Sequence, residues 1–400
     1  MHRPLSIPDS QTVTAMKPLS VLLVDPALFT APYDAALSRG LKANHVAPTW
    51  ATRALRPNED ADIPAEDMRP FFYPMTDGPR RRGTGRLQRA VKGVEHALGL
   101  NALVKTVQQQ PFDAVHFQWS VLPFLDLRAI GRIRETAPVI LTVHDLLPFN
   151  GKKVNRLQRD GFGGVIRAVD HVIVHTATAR SALVGAGVNP LCVSVIPHGM
   201  LPLGEVEPTP QTTDDRWRIV MFGKIQSYKG VDILVEAAGR LHADVRRRIE
   251  IVVAGEPMLP LGDVIERARA LGLQDTVRFE FRRFSDAEMA VLLTGADSFV
   301  FPYRAIEASG VLHLVAGLGK WIVASRLGVF EDMIGGDGRF GTLTEAGDVE
   351  ALAGALAGCI GRTPPGPLGE SVPGWEVIGD ATRTVYETAI ARHSAARYPA

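Results

Sequence analysis

The chain has 400 residues, more than a single hydrophobic core usually supports, so two domains are expected. Hydrophobic residues make up 46% and charged residues 22%, the balance of an ordinary globular protein rather than a disordered or fibrous one. A formal net charge of +1 excludes global electrostatic attraction to nucleic acid or membrane and leaves local patches as the source of any such targeting.

Residues 1–19 carry Pro4, Pro8 and Pro18 without a continuous apolar run, so they read as a disordered lead-in rather than a secretory leader. From residue 20 onward, short runs rich in Val and Ile recur, each followed by a helical pattern. In the first half they are Ser20–Val24, Ala114–Phe117, Val139–Val143, His171–Val174 and Val193–Ile196. Near-continuous apolar strands alternating with helices predict a parallel sheet covered on both faces. Between the first two runs, Arg80, Arg81, Arg82, Arg86, Arg89 and Lys92 lead into a helical pattern over Leu87–Val107. Two readings of this stretch stand side by side. One is a solvated basic face. The other is a docking surface for an anionic membrane or acceptor, to which each basic side chain contributes about 1 kcal/mol.

The first domain, residues 20–199, closes on Ile196-Pro197-His198-Gly199. Residues 200–216 hold Pro202, Pro208 and Pro210 without periodicity and form the predicted linker. The second domain, 217–374, repeats the alternation with Arg218–Phe222, Ile249–Ala254, Val277–Phe281, Ser298–Phe301 and Trp321–Ala324. So many buried strands suit two sheets better than one. After an irregular stretch over Gly361–Pro373, a helix is predicted at Trp375–Arg392, and residues 375–400 are expected to return to the first domain. No uncharged stretch is long enough to span a bilayer. Cys192 and Cys359 lie outside any metal-ligand spacing and read as reduced, buried thiols of a cytoplasmic protein.

The segment Met221–Gly230 carries the strongest chemical signal. A strand ends at Phe222, a loop with two lysines follows, and a helix begins near Val231. A diphosphate needs fixed positive charge and unencumbered backbone. Lys224 and Lys229 supply the charge, and Gly223 and Gly230 allow the close approach. The order is not that of a Walker A loop. In the first domain, His116 and His144 sit at strand ends, where ligands bind in open α/β sheets. His144 either faces a cleft or forms a satisfied pair with Asp145. Thr30 and Tyr33, in the loop after the first strand, are further acceptor-side positions.

These segments, in this order, resemble the retaining glycosyltransferases of family 4. Gly223-Lys224 and Lys229-Gly230 match that family's FGR and KG places, with Lys standing for Arg at 224. Ile196–Gly199 is similar to its IPNG or IPHG, Ile251–Glu256 to its glycine-turn strand, and Val143–Asp145 to its T.HD turn. The resemblance implies a GT-B fold: α/β, with two Rossmann-like domains facing each other across a cleft. It implies donor contacts from Gly223, Lys224, Lys229, Gly255, Glu256 and Arg282. Glu307 would bind sugar hydroxyls, and the backbone at Ser309, Gly310 and Val311 would face the diphosphate. Lys229, Lys224, Glu307 and His144 become the candidate catalytic set. The family's second glutamate is missing, since position 315 is Val315. The resemblance further implies a UDP- or GDP-sugar donor, no divalent metal and no other cofactor, and retention of anomeric configuration.

The basic segment Arg80–Lys92 points to a lipid-linked oligosaccharide or cell-surface polysaccharide precursor as acceptor, met at the inner face of the plasma membrane. Two rivals remain at this stage: a nucleotide-sugar epimerase on the same fold, and a non-catalytic sugar-nucleotide-binding partner. The chain shows no HExxH, GxSxG or first-strand GxGxxG, which argues against metalloprotease, serine hydrolase and dehydrogenase chemistry.

Overall fold

A computed structural model of the chain describes residues 17–57, 59, 61–77, 86–146, 156–201, 203, 216–306, 309–335, 338–363, 366 and 372–397. Residues 1–16 of the expected lead-in, Arg80–Arg82, most of the linker and Glu307 lie outside these residues, while Leu19, placed in the lead-in by the sequence reading, already begins the first strand.

The first domain runs β1 (Leu19–Val24), α1 (Ala31–Ala43), β2 (Val46–Arg53), β3 (Met68–Phe72), α2 (Arg86–Gln109), β4 (Ala114–Phe117) and α3 (Pro123–Ile133). It continues through β5 (Val139–Val143), α4 (Arg156–Ala168), β6 (His171–Val174), α5 (Ala177–Gly185) and β7 (Val193–Val195). The second runs β8 (Trp217–Phe222), α6 (Val231–Arg240), α7 (Ala243–Arg248), β9 (Ile249–Ala254), α8 (Gly262–Ala270), β10 (Val277–Glu280) and α9 (Asp286–Thr294). Then come β11 (Ser298–Phe301), α10 (Gly310–Val315), β12 (Trp321–Ser325), α11 (Gly328–Ile334), β13 (Gly341–Thr344), α12 (Val349–Gly358) and the long α13 (Trp375–Arg397).

The strands form two sheets, ordered β3-β2-β1-β4-β5-β6-β7 and β10-β9-β8-β11-β12-β13, with every pairing parallel. Each order reverses once, between β1 and β4 and between β8 and β11. These are the two switch points, where the outgoing loops part and open α/β sheets bind ligands. The central strands are apolar on both faces because helices cover both: all four residues of β4, β6 and β11 are buried.

Three strands escape the apolar-run criterion. β2 contains Pro48 and Thr49, β3 contains Arg69 and Pro70, and β13 reads Gly-Thr-Leu-Thr. β3 and β13 are sheet edges, where one side needs no ladder partner and proline or polar residues are tolerated. Cys192 is also less enclosed than expected: Cys359 is buried, but Cys192 is half-buried.

Helix α13 lies along α1 of the first domain, and the contact is backbone to backbone. A Cβ on Gly40 would fall 2.0 Å from the Trp375 carbonyl oxygen, and one on Gly379 would fall 2.1 Å from that of Gly40. Arg383 donates to the Asn44 carbonyl at 2.7 Å, and the Trp375 indole donates to the Met200 carbonyl at 2.6 Å.

Candidate active site between the two switch points

At the second switch point, two glycine turns stack. β8 ends into Gly223 at φ +114° and β9 into Gly255 at φ +136°, a region that L side chains rarely adopt. A Cβ on Gly255 would sit 2.0 Å from the Gly223 carbonyl oxygen. The loop then turns through Ser227–Lys229 into Gly230, whose Cβ would strike the Pro302 carbonyl at 2.0 Å. This geometry seats Lys229 inside the protein. It is 5% exposed, its Nζ donates to the Phe222 carbonyl at 3.2 Å, and it lies 5.3 Å from the centroid of the Tyr303 ring. Burial, reinforced by Lys224, lowers its pKa to about 7.

Helix α10 begins over the same turn. Ser309 caps it by accepting from the Leu312 N–H at 3.2 Å. A Cβ on Gly223 would meet Lys229 Nζ at 2.7 Å and Val311 Cγ2 at 3.0 Å, so the loop lysine and the helix start converge on one glycine. Lys224, Glu256 and Gly310 are exposed around this point. Arg282 is exposed too, but it is held by Glu288 at 2.8 Å and stacks 3.9 Å from the Phe284 ring centroid. Val315 is 1% exposed and packs in the domain core, so this position offers nothing polar to a nucleotide. A largely apolar cavity of about 540 Å³ lies beside the loop, lined by Ile225, Tyr228, Val231, Leu261 and Arg304. Arg304 is tied to Asp232 at 2.9 Å, and neither Lys229 nor Val311 reaches this cavity.

Across from the loop, the β5 turn carries His144 and Asp145. Tyr228 of the Gly223–Gly230 loop has its hydroxyl pKa raised to about 12, by burial first and then by the charge of Asp145. The acceptor-side expectations need revision. His116 is completely buried, its ring between the Tyr386 hydroxyl at 2.8 Å and the Thr142 hydroxyl at 2.7 Å. It joins β4 to α13 and touches no cleft. Tyr33 is 4% exposed and packs on His144, His198 and Trp375 at 4.9, 4.9 and 5.2 Å between centroids, which makes it core rather than contact surface. Thr30 is half-buried, with its hydroxyl already engaged by the Trp119 indole N–H at 3.1 Å.

His144 is 8% exposed. The proton positions around it follow from one fixed acceptor. The Ile196 carbonyl, 2.9 Å away, can only accept, so His175 carries its proton on Nδ1. His175 Nε2 then accepts from His144 Nδ1 at 3.1 Å. His144 Nε2 is left as an acceptor 3.2 Å from the Gln118 amide, which must present its NH2 to the ring. To bind a substrate hydroxyl, His144 has to give up Gln118.

Sequence reasoning passed over the rest of this array. His198, in the IPHG segment, stacks on His313 of α10 with centroids 3.9 Å apart and planes 13° apart. His313 is 4% exposed, and neither of its ring nitrogens has a partner. Burial holds His175 at a pKa of about 4 and His313 at about 3, and depresses His144 and His198 as well, so the array is neutral. Only position 198 carried a motif; no periodicity marks 313. Among the described residues, no group of three His, Cys, Asp or Glu side chains is placed to hold a metal ion.

Residues 216–361 match the family model described as glycosyl transferases group 1, and residues 35–200 match that of glycosyltransferase family 4. The chain is 30% identical over 238 residues to an MMP alpha-(1->4)-mannosyltransferase of Mycolicibacterium hassiacum, covering 56% of this chain and 54% of that protein. It is 30% identical over 258 residues to D-inositol 3-phosphate glycosyltransferase 2 of Catenulispora acidiphila, covering 58% and 60%. The alignments thus span little more than half the length of these curated relatives. Among solved structures, Anabaena HepE in complex with UDP and glucose superposes with a TM-score of 0.64 at 17% identity, covering 94% of this chain and 100% of that one. Sucrose-phosphate synthase from Thermosynechococcus elongatus superposes at 0.68 with 16% identity and the same coverage. At such identities the likeness is one of fold.

Proposed function

Starting from a chain that belongs to the group 1 glycosyltransferases and has their GT-B fold, we propose that it transfers a sugar from a nucleoside-diphosphate sugar, UDP- or GDP-linked, to a carbohydrate or cyclitol acceptor. The observation that carries this is the convergence of Lys229, the Gly223 turn and the start of α10 at the second switch point. A half-charged amine held 5% exposed beside bare backbone suits an incoming diphosphate, which restores the full charge. The C1–O bond to the diphosphate breaks, the bond from acceptor oxygen to C1 forms on the same face, and the acceptor proton leaves on a diphosphate oxygen. Configuration is retained and no metal is required. Stabilising the departing diphosphate is then the protein's main contribution.

Lys229→Met should lower transfer about 10²–10³-fold, the range for removing one preorganised donor of charge stabilisation, with its circular dichroism unchanged. Near-normal turnover in that variant overturns the reading. An epimerase would instead convert the donor with no acceptor present, and a non-catalytic partner would bind it without any conversion.

The acceptor proposal extends to lipid-linked oligosaccharides or polysaccharide precursors, met by a cytoplasmic protein peripheral to the inner face of the membrane. What supports it is α2, where Leu87, Val94 and Leu98 are 81%, 61% and 64% exposed and Arg89 is exposed beside them. Among the described residues, no helix is long and apolar enough to cross a membrane. Liposome flotation tests this arm: recovery with vesicles that does not depend on anionic lipid removes it.

A further inference from the structure

The first switch point holds a construction that the diphosphate chemistry does not use. β1 ends at Val24, and the next residue, Asp25, is completely buried. It accepts from the backbone N–H of Ala27 at 3.3 Å and of Thr30 at 3.1 Å. Asp34, also completely buried, faces it, and both carboxyl pKa values are raised, chiefly by burial. Asp34 Oδ2 has no donor of its own, so as a carboxylate it would be an unpaired buried charge. Protonated, it donates to Asp25, which stays the acceptor of the loop amides. The Thr30 hydroxyl lies 3.4 Å from Asp25 and 3.3 Å from Asp34, and it accepts the Trp119 indole N–H at 3.1 Å.

This chain of hydrogen bonds ends on a tryptophan that is not itself buried. Trp119 stands two residues past the end of β4, after Gln118, so the indole lies at the reversal of strand order, and it is only partly covered. His144 stacks on it at 4.9 Å between centroids and 16° between planes. Phe29, 53% exposed, meets it edge-on at 5.6 Å and 61°. With one indole face covered by His144, what remains exposed belongs to the rest of the ring, bordered by Phe29. An aromatic pair held in one geometry and left open to solvent at a ligand-binding position offers a flat apolar surface. The C–H face of a six-membered polyol ring complements such a surface; an extended acyl chain has no use for the fixed ring plane.

We propose that Phe29 and Trp119 form the platform on which the ring of a sugar or cyclitol acceptor stacks, with Asp25, Asp34 and Thr30 as its positioning residues. The proposal rests on the transferase reading for the word acceptor, and on the first domain alone for the platform. It differs from the sequence expectation, which assigned acceptor contacts to Thr30, Tyr33, His116 and His144. Thr30 acts here through Trp119, while Tyr33 and His116 stay in the core.

Saturation-transfer NMR on the full chain tests it, with methyl α-D-mannopyranoside, myo-inositol and decyl β-D-maltoside as probes, each with and without UDP. Ring protons of at least one probe should be saturated in the wild type and lose most of that signal in both Phe29→Ala and Trp119→Ala. Phe29 is exposed enough that its removal spares the fold. Thr30→Val should weaken the signal and Thr30→Ser restore it, a rescue that bulk packing at this position would not produce. UDP-induced thermal stabilisation should stay the same in every variant. Ring saturation unchanged in Phe29→Ala, saturation confined to the decyl chain, or no ring saturated in the wild type overturns the platform. Binding of neither UDP nor GDP by the wild type overturns the transferase reading instead, leaving the probe data without nucleotide to judge the platform.

Discussion

Lys229 shows how one residue links local geometry to chemistry. Its position after a strand, between Gly223 and Gly230, was legible in the sequence; its enclosure was not, because burial depends on Tyr303 and Val311, which lie 74 and 82 residues away in the chain. A lysine at a pKa of about 7 is largely neutral above that pH, whereas a bound diphosphate favours its charged form. Binding therefore takes up a proton above pH 7, and affinity falls as pH rises, by up to about tenfold per unit. A UDP-sugar is the proper probe, because its phosphates have no ionisation in that range. Titration calorimetry at pH 6.5 and 8.5 should show the loss, and Lys229→Met should abolish the pH dependence. The Asp25–Asp34 pair makes an opposite case. Raised carboxyl pKa values mean that the unfolded chain holds fewer protons than the folded one above about pH 4, so this pair's contribution weakens as pH rises. Asp34→Asn keeps a donor toward Asp25 without the charge and should raise the unfolding midpoint more at pH 8 than at pH 5. Equal shifts at the two pH values would mean that Asp34 does not carry the proton.

At the scale of elements, the buried strands could be read because parallel sheets covered on both faces need continuous apolar runs. β4, β6 and β11 are such runs. β2, β3 and β13 could not be read the same way: their pairing comes from neighbours already in place, and their prolines and threonines hide the pattern. Helix α13 was legible from its spacing, but not the close contact that seats it. That contact depends on Gly40 and Gly379, at each of which a single added methyl group would fall about 2 Å from a carbonyl oxygen of the other helix. The clash is with backbone, which cannot rotate away. Gly379→Ala should therefore separate α13 from α1 and cost at least the 1–3 kcal/mol usual for overpacking. Urea unfolding followed by the fluorescence of Trp375, which packs at this junction, reads the effect. A variant as stable as the wild type would show that the helices do not approach so closely.

On the scale of the whole molecule, the two domains meet where a set of neutral imidazoles stacks. His175 and His198 come from the first domain, and His313 comes from the helix that begins over the Gly223 turn. Placing His313 there has a thermodynamic consequence. Its folded pKa of about 3 lies far below the 6.5 of a free imidazole, so above pH 6.5 neither state is protonated and burial carries no pH-dependent penalty. As pH falls below 6.5, the unfolded chain takes up the proton and the folded one does not, so stability drops. For this one group the loss reaches about 2 kcal/mol at pH 5. His175 adds a loss of the same sign. Because neither nitrogen of His313 has a partner, His313→Leu gives up no hydrogen bond. Its stability relative to the wild type should improve by about 2 kcal/mol between pH 7.5 and pH 5, as measured by urea unfolding at each pH. An unchanged difference would mean that His313 stays solvated and titrates normally. Domain contact at α10 would then have to be sought in residues other than the stacked imidazoles.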